Sequence, residues 1–118
     1  MSSTPIADHA LLSDCHSAAL VTTDGSIDWL CFPRFDSPSV FGRVLDTAAG
    51  HGSIAALDEI ERERRYLDGT MVLETTMRTA TGVARLTDAM ALGAEQDGHD
   101  LGLGAPGMVL RDIEVVEG

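Results

Sequence analysis

Hydrophobic and polar residues alternate with a period of two over several stretches of this chain, the spacing of a half-buried β-strand. The clearest pair flanks Thr23-Asp24-Gly25-Ser26, where residues 18–22 and 27–32 are both rich in strand formers. Asp-Gly between two such runs predicts a hairpin closed by a type I′ turn, with positive φ at both central residues. On the second strand Ile27, Trp29 and Cys31 share one face while Asp28 and Leu30 take the other. That places the only Trp on the predicted core face. Residues 70–79 alternate in the same way, with Met71, Leu73, Thr75 and Met77 set against Val72, Glu74, Thr76 and Arg78. A turn at Ala80-Thr81-Gly82 leads into a strand over 83–92, and a further strand is predicted over 108–116.

Between these strands the pattern changes. Pro33 and Pro38 bound a loop in which no regular element survives. Ser37 or Ser39 then caps a short predicted helix carrying Val40, Phe41, Val44 and Leu45, ended by Gly50-His51-Gly52. Residues 58–65 score as helix on propensity alone. Residues 95–107 read as a glycine-rich loop closed by Pro106-Gly107. The expected fold is mostly β: an antiparallel β-sandwich with at most one short helix, one domain over residues 1–118. A strand reaches Val115-Val116-Glu117-Gly118, so the sandwich is expected to be truncated there, with an edge strand lacking its partner.

Charge narrows the partners. Nineteen acids face eight bases for a net charge of −11, and every base is Arg. Such a surface repels phosphate backbones and anionic headgroups, so neither nucleic acid nor membrane is an expected partner. No apolar run approaches the roughly 20 residues of a membrane span. The amino terminus has no basic segment followed by an apolar one, so no secretory signal is read. Cys15 and Cys31 form no CxxC pair. They read as two reduced thiols in a cytoplasmic protein, with a disulfide between adjacent strands as the alternative. His9, His16, His51 and His99 are scattered, and neighbours such as Cys15 and His16 point to opposite faces of a strand. The glycines from 98 to 107 lack the lysine of a phosphate loop. No metal and no cofactor is predicted.

The segment GSIDWLCFPRFDSPSVFGRVLD (residues 25–46) closely resembles the start of bacterial trehalase-like and glucoamylase-like proteins of glycoside hydrolase family 15. RRYLDGTMVLETTMRT (64–79), LTDAMALG (86–93) and GHDLGLGAPGMVLR (98–111) agree in order and spacing, as does IADHALLSDCHSAALVTTDGSIDW at the beginning. The resemblance implies an amino-terminal β-sandwich preceding a helical catalytic barrel in the same polypeptide, a barrel that is missing here. It implies inverting hydrolysis of α-glucosidic bonds, trehalose foremost, by two carboxylates of that barrel. No catalytic residue therefore carries over to this chain. It also implies that residues 58–67 end in a strand, against their helical propensity. Gly52 and Met77 depart from the family pattern, which usually has aromatics at both positions.

The candidate site is the loop Pro33-Arg34-Phe35-Asp36-Ser37-Pro38 together with Trp29. Trp29 and Phe35 would offer aromatic surface, and Arg34 and Asp36 charged groups, at the substrate entrance of the whole enzyme. On the alternative reading Trp29 and Phe35 anchor the core and Arg34 pairs with Asp36 or Asp46. Asp24 and Asp28 flank a hairpin turn, where carboxylates are normally solvated, and the charges from 59 to 65 read as a solvated face. The whole chain reads as the non-catalytic amino-terminal part of a hydrolase. Its rivals are a free-standing carbohydrate-binding or interaction module and the inactive product of a broken reading frame.

Overall fold

The computed structural model describes residues 4–92 and 102–118, and its strands form the two antiparallel sheets of a β-sandwich. The 3-10 turn Ile6–Asp8 leads into β1 (His9–Ser13), β2 (Ala18–Thr22), β3 (Ser26–Cys31) and β4 (Ser39–Phe41), which lie side by side in chain order. The two-residue strand β5 (Gly52–Ser53) pairs with the start of β3. The second sheet is β6 (Glu61–Tyr66), β7 (Leu73–Arg78), β8 (Val83–Met90) and β9 (Val109–Glu117), again in chain order. Leu12, Ala19, Val21, Ile27 and Leu30 of the first sheet meet Leu73 and Met90 of the second to make the core. Met77, where the resemblance expects an aromatic, is fully buried. The glycine-rich segment expected over 95–107 lies partly outside the described residues; from Gly102 onward it is a turn followed by irregular chain.

Several sequence expectations are corrected by pairing. In the β2–β3 turn only Gly25 has positive φ (83°), while Asp24 does not, so the turn is not type I′. The Gly25 N–H donates to Thr22 O at 3.1 Å, and a Cβ on Gly25 would stand 2.3 Å from Ile54 O. Glycine is required there by a close backbone approach as well as by its φ. One residue later Leu20 lies opposite Trp29 but Val21 opposite Ile27, a bulge at Asp28. A bulge shifts the alternation by one, so Ile27 and Leu30 both reach the core. Trp29 turns instead to the outer face, beside Leu20, and is half-buried.

The helix expected through Val40 and Leu45 is β4 followed by a single turn, in which Leu45 and Asp46 donate to Gly42 O at 2.9 and 3.2 Å. Pairing with β3 outcompetes a helix too short to stand alone. Phe41 sits opposite Leu30, and its ring lies 3.0 Å from where a Cβ on Gly52 would be. Phe41 thus occupies the space beside Gly52, the second position that departs from the family pattern. Residues 61–66 are strand, as the resemblance implied and propensity did not, held in register from Glu61 opposite Arg78 to Tyr66 opposite Leu73.

The 59–65 charge run is also more than a solvated face. Alternation points Arg62, Arg64 and Tyr66 toward the first sheet, and each closes on its backbone. Arg62 Nη1 donates to Thr23 O at 2.9 Å while its other nitrogens pair with Glu59. Arg64 donates to Val21 O and Asp8 O at 3.0 and 2.9 Å. The Tyr66 hydroxyl accepts from Leu11 N–H at 2.8 Å and donates to Leu11 O at 2.9 Å, sealing the open edge of β1. On the opposite side Arg111 of β9 holds Asp88 of β8 through Nε at 2.7 Å and Nη2 at 3.2 Å. The same guanidinium donates to Gly52 O at 3.1 Å and Gly25 O at 2.7 Å. Asp88 is completely buried and the Arg111 side chain is 13% exposed.

Two predictions follow from these clamps. Arg111→Ala strands a buried carboxylate and should cost about 3–5 kcal/mol in urea unfolding. Arg65→Ala removes an exposed pair with Glu74 and should change stability by less than about 1 kcal/mol. Equal effects would contradict the special place given to Arg111. The second concerns acid. The Thr22 hydroxyl donating to Asp24 holds its carboxyl below the ordinary value of 3.8, helped by Arg43 and Arg62 and opposed by partial burial. A lowered folded pKa stabilises the fold above the unfolded value and loses that contribution as pH falls through the folded one. Between pH 5 and strong acid, Asp24→Asn should therefore show a shallower loss of stability than the native chain, read by melting temperature against pH.

Candidate functional site

The predicted site residues fall in two places. Arg34, Phe35 and Asp36 share the exposed loop after β3, which begins at a cis Phe32–Pro33 peptide bond. Trp29 is on β3 itself, half-buried on the outer face of the first sheet with Leu20 and Leu11. Phe35 is 61% exposed and so does not anchor the core. Arg34 Nε lies 3.8 Å from Asp36 Oδ1, a solvated pair worth little to stability. The loop folds on itself: Ser37 donates its N–H to Arg34 O, and the Ser37 hydroxyl accepts from Arg34 N–H, both at 3.1 Å.

A single backbone bond fixes where this loop sits. Phe35 N–H donates to His16 O at 2.9 Å, tying it to the β1–β2 turn, Asp14-Cys15-His16-Ser17. That turn is built around Asp14, which is fully buried. Its Oδ1 accepts from the N–H groups of His16 and Ser17, each at 2.9 Å, the arrangement expected of an Asx turn. Cys15 takes a positive φ of 73°, and His16 Nε2 lies 2.7 Å from Gly102 O. Asp14 Oδ2 has no hydrogen-bond partner among the described residues. A small cleft of about 230 Å³ opens here, lined by Asp14, His16, Pro33 and Arg34 on one side and by Ala105, Pro106 and Gly107 on the other. Sequence reasoning singled out Arg34 and weighed Asp14 only beside Cys15 and His16 as a metal set, which it set aside; the spacing Asp-x-x-Ser after a strand was the available signal for the turn.

A larger, more apolar cleft of about 740 Å³ lies beyond Cys15, with Tyr66, Met71, Met90 and Leu92 in its lining. Among the described residues Asp68 is the one carboxylate in its lining. An inverting glycosidase needs two, about 6.5–9.5 Å apart. Asp28, expected to be solvated, is instead 2% exposed and committed to structure: it accepts from the Ser26 hydroxyl and from Arg43 Nε, the latter at 3.2 Å. Among the described residues no group of three His, Cys, Asp or Glu side chains is placed to hold a metal ion. No helix among them is long and apolar enough to cross a membrane.

Among the described residues the chain is a nine-stranded antiparallel sandwich with a proline-bounded loop after its third strand. The chain belongs to the family described as "Trehalase-like, N-terminal", whose match covers residues 1–101. It is 47% identical over 94 residues to a trehalase of Mycolicibacterium smegmatis, covering 79% of this chain and 14% of that protein. A trehalase of Mycobacterium tuberculosis is 46% identical over 94 residues with the same coverage. Trehalase 1 of Sulfolobus acidocaldarius is 47% identical over 78 residues, covering 65% of this chain and 14% of that protein. The chain thus spans about one seventh of the length of these relatives. No solved structure matches it.

Both cysteines are free thiols, Cys15 exposed and Cys31 buried. A thiol reagent should therefore label one equivalent rapidly in the folded chain and the second only on unfolding. Two fast equivalents would contradict the burial of Cys31 at the end of β3.

Proposed function

We propose that this chain is the non-catalytic amino-terminal domain of a cytoplasmic hydrolase of glycoside hydrolase family 15, acting on α-glucosidic bonds with trehalose as the leading substrate. The observation that carries this reading is the family match over residues 1–101, together with relatives named as trehalases and seven times longer than the matched region. On this reading the two catalytic carboxylates belong to a helical barrel elsewhere in the full polypeptide, and the 118 residues alone release no glucose. The domain packs against that barrel, and the Arg34-Phe35-Asp36 loop shapes its entrance. The exposure of Phe35 supports this: a large aromatic on a pinned loop is available to a neighbouring surface. The outer-face strip of Leu11, Leu20 and Trp29 offers a second contact.

Two measurements test the proposal. The native polypeptide isolated from its own cells should be several-fold longer than 118 residues and should hydrolyse trehalose, whereas a native product of 118 residues would overturn the enzyme reading. In that longer polypeptide Arg34→Ala should raise KM a few-fold with kcat nearly unchanged, the pattern of a group that binds substrate and transition state alike. Unchanged kinetics would remove the loop from the entrance.

A further inference from the structure

We propose that the Asp68–Gly69 step, at the tip of the β6–β7 hairpin, is a site of covalent self-modification, where the chain closes to a succinimide and reopens as isoaspartate. The chemistry is intramolecular. The Gly69 amide nitrogen bonds to Cγ of the Asp68 carboxyl group, whose hydroxyl departs as water with the proton of that amide. One water then adds back. Where it opens the ring at the Asp68 main-chain carbonyl, the chain continues through Cγ, one atom longer, and an α-carboxylate is left free. Glycine after aspartate favours the closure because no side chain obstructs the nitrogen or restricts its peptide unit.

Asp-Gly occurs at 24–25, 68–69 and 97–98, and the last of these lies outside the described residues. The fold treats the other two oppositely. At 24–25 every reacting group is engaged. The Thr22 hydroxyl donates to the Asp24 carboxylate and holds it below the ordinary value of 3.8, which lowers the fraction carrying the hydroxyl that must leave. Gly25 N–H donates to Thr22 O at 3.1 Å. Gly25 O accepts from Ile54 N–H at 3.2 Å and from Arg111 Nη2 at 2.7 Å. That glycine is buried, so it cannot turn toward the carboxyl without breaking bonds that cross the sandwich.

At 68–69 the opposite holds. Asp68, Gly69 and Thr70 are all exposed. Neither the Asp68 carboxylate nor the Gly69 N–H has a partner among the described residues. A Cβ on Gly69 would meet nothing within 4 Å, so no neighbour resists the rotation. The hairpin is closed around the step by Thr70 N–H to Leu67 O at 3.0 Å and Leu67 N–H to Val72 O at 2.9 Å. The tip can therefore turn without unpairing β6 from β7. Asp68 lines the 740 Å³ cleft, so the extra main-chain atom and the relocated carboxylate arrive in its wall. The reaction needs no bound substrate and does not depend on what the full polypeptide hydrolyses.

The test is to age the native polypeptide, purified from its own cells, at neutral pH and physiological temperature, once folded and once in concentrated urea. Trypsin then separates the two steps: residues 66–78 form one peptide, and Asp24 lies in the peptide ending at Arg34. Isoaspartate has the mass of aspartate, so it is read by electron-transfer fragmentation and by enzymatic methyl transfer from S-adenosylmethionine to the new α-carboxylate. In the folded polypeptide isoaspartate should form in 66–78 at least about tenfold faster than at Asp24, the hydrogen bonds at 24–25 having to break first. In urea the two rates should converge. Asp68→Glu, whose longer side chain does not close the five-membered ring, should silence the 66–78 peptide and leave the melting temperature unchanged. Equal folded rates, faster conversion at Asp24, a difference that persists in urea, or no isoaspartate in 66–78 would each overturn the proposal.

Discussion

The ion pair between Asp88 and Arg111 is the constraint on which the rest of the sandwich depends. Burying a carboxylate completely is unfavourable unless its charge is matched and its lone pairs are used. Arg111 does both from the neighbouring strand and still has donors left for Gly25 O and Gly52 O. One guanidinium thereby joins β8 and β9 to the β2–β3 turn and to β5, which are remote in sequence and lie in the other sheet. Arg62 and Arg64 repeat the device at the opposite edge, each binding two separate acceptors. A planar fork with five donors can do this, and a single ammonium point charge does so poorly. The absence of lysine from the sequence has a structural counterpart: the arginines that matter are cross-braces.

How much of this the sequence disclosed depended on whether local or distant residues decide the outcome. The strands at 18–22, 73–78, 83–90 and 109–117 were legible because alternation is a local record of burial. The β2–β3 hairpin was legible too, but its turn type was not, because Ile54 sets the space around Gly25 from across a loop. The bulge at Asp28 leaves no mark in composition, and with it went the placement of Trp29. Residues 61–66 misled propensity because arginine and glutamate favour helices in isolation, whereas the strand is dictated by six consecutive pairings with β7. Val40 and Leu45 had helical spacing without enough length to nucleate one.

The candidate site was half legible. The loop bearing Arg34 and Phe35 stood out by its prolines and aromatics, and the structure leaves both side chains exposed as a surface group requires. Asp14 stood out in the sequence only as the neighbour of Cys15 and His16 in a metal set that strand alternation argues against; its burial and its unpaired second oxygen come from three-dimensional placement. The backbone bond from Phe35 to His16 is what brings the two together. It makes the loop an extension of the β1–β2 turn, so that a change at either one is felt at the other.

β9 carries a different kind of consequence. It is nine residues long, pairs only with β8 among the described residues, and presents Ile113, Val115 and Val116 at 54, 73 and 42% exposure. An apolar edge of that length is a template for the strand of another molecule. Glu114 stands between those apolar positions and Asp112 and Glu117 flank them, placing like charges along the same strand. Two copies meeting there bring acid against acid. The surplus of carboxylates thus opposes edge-to-edge pairing of two copies, and salt or acid that weakens that charge weakens the opposition without touching the core.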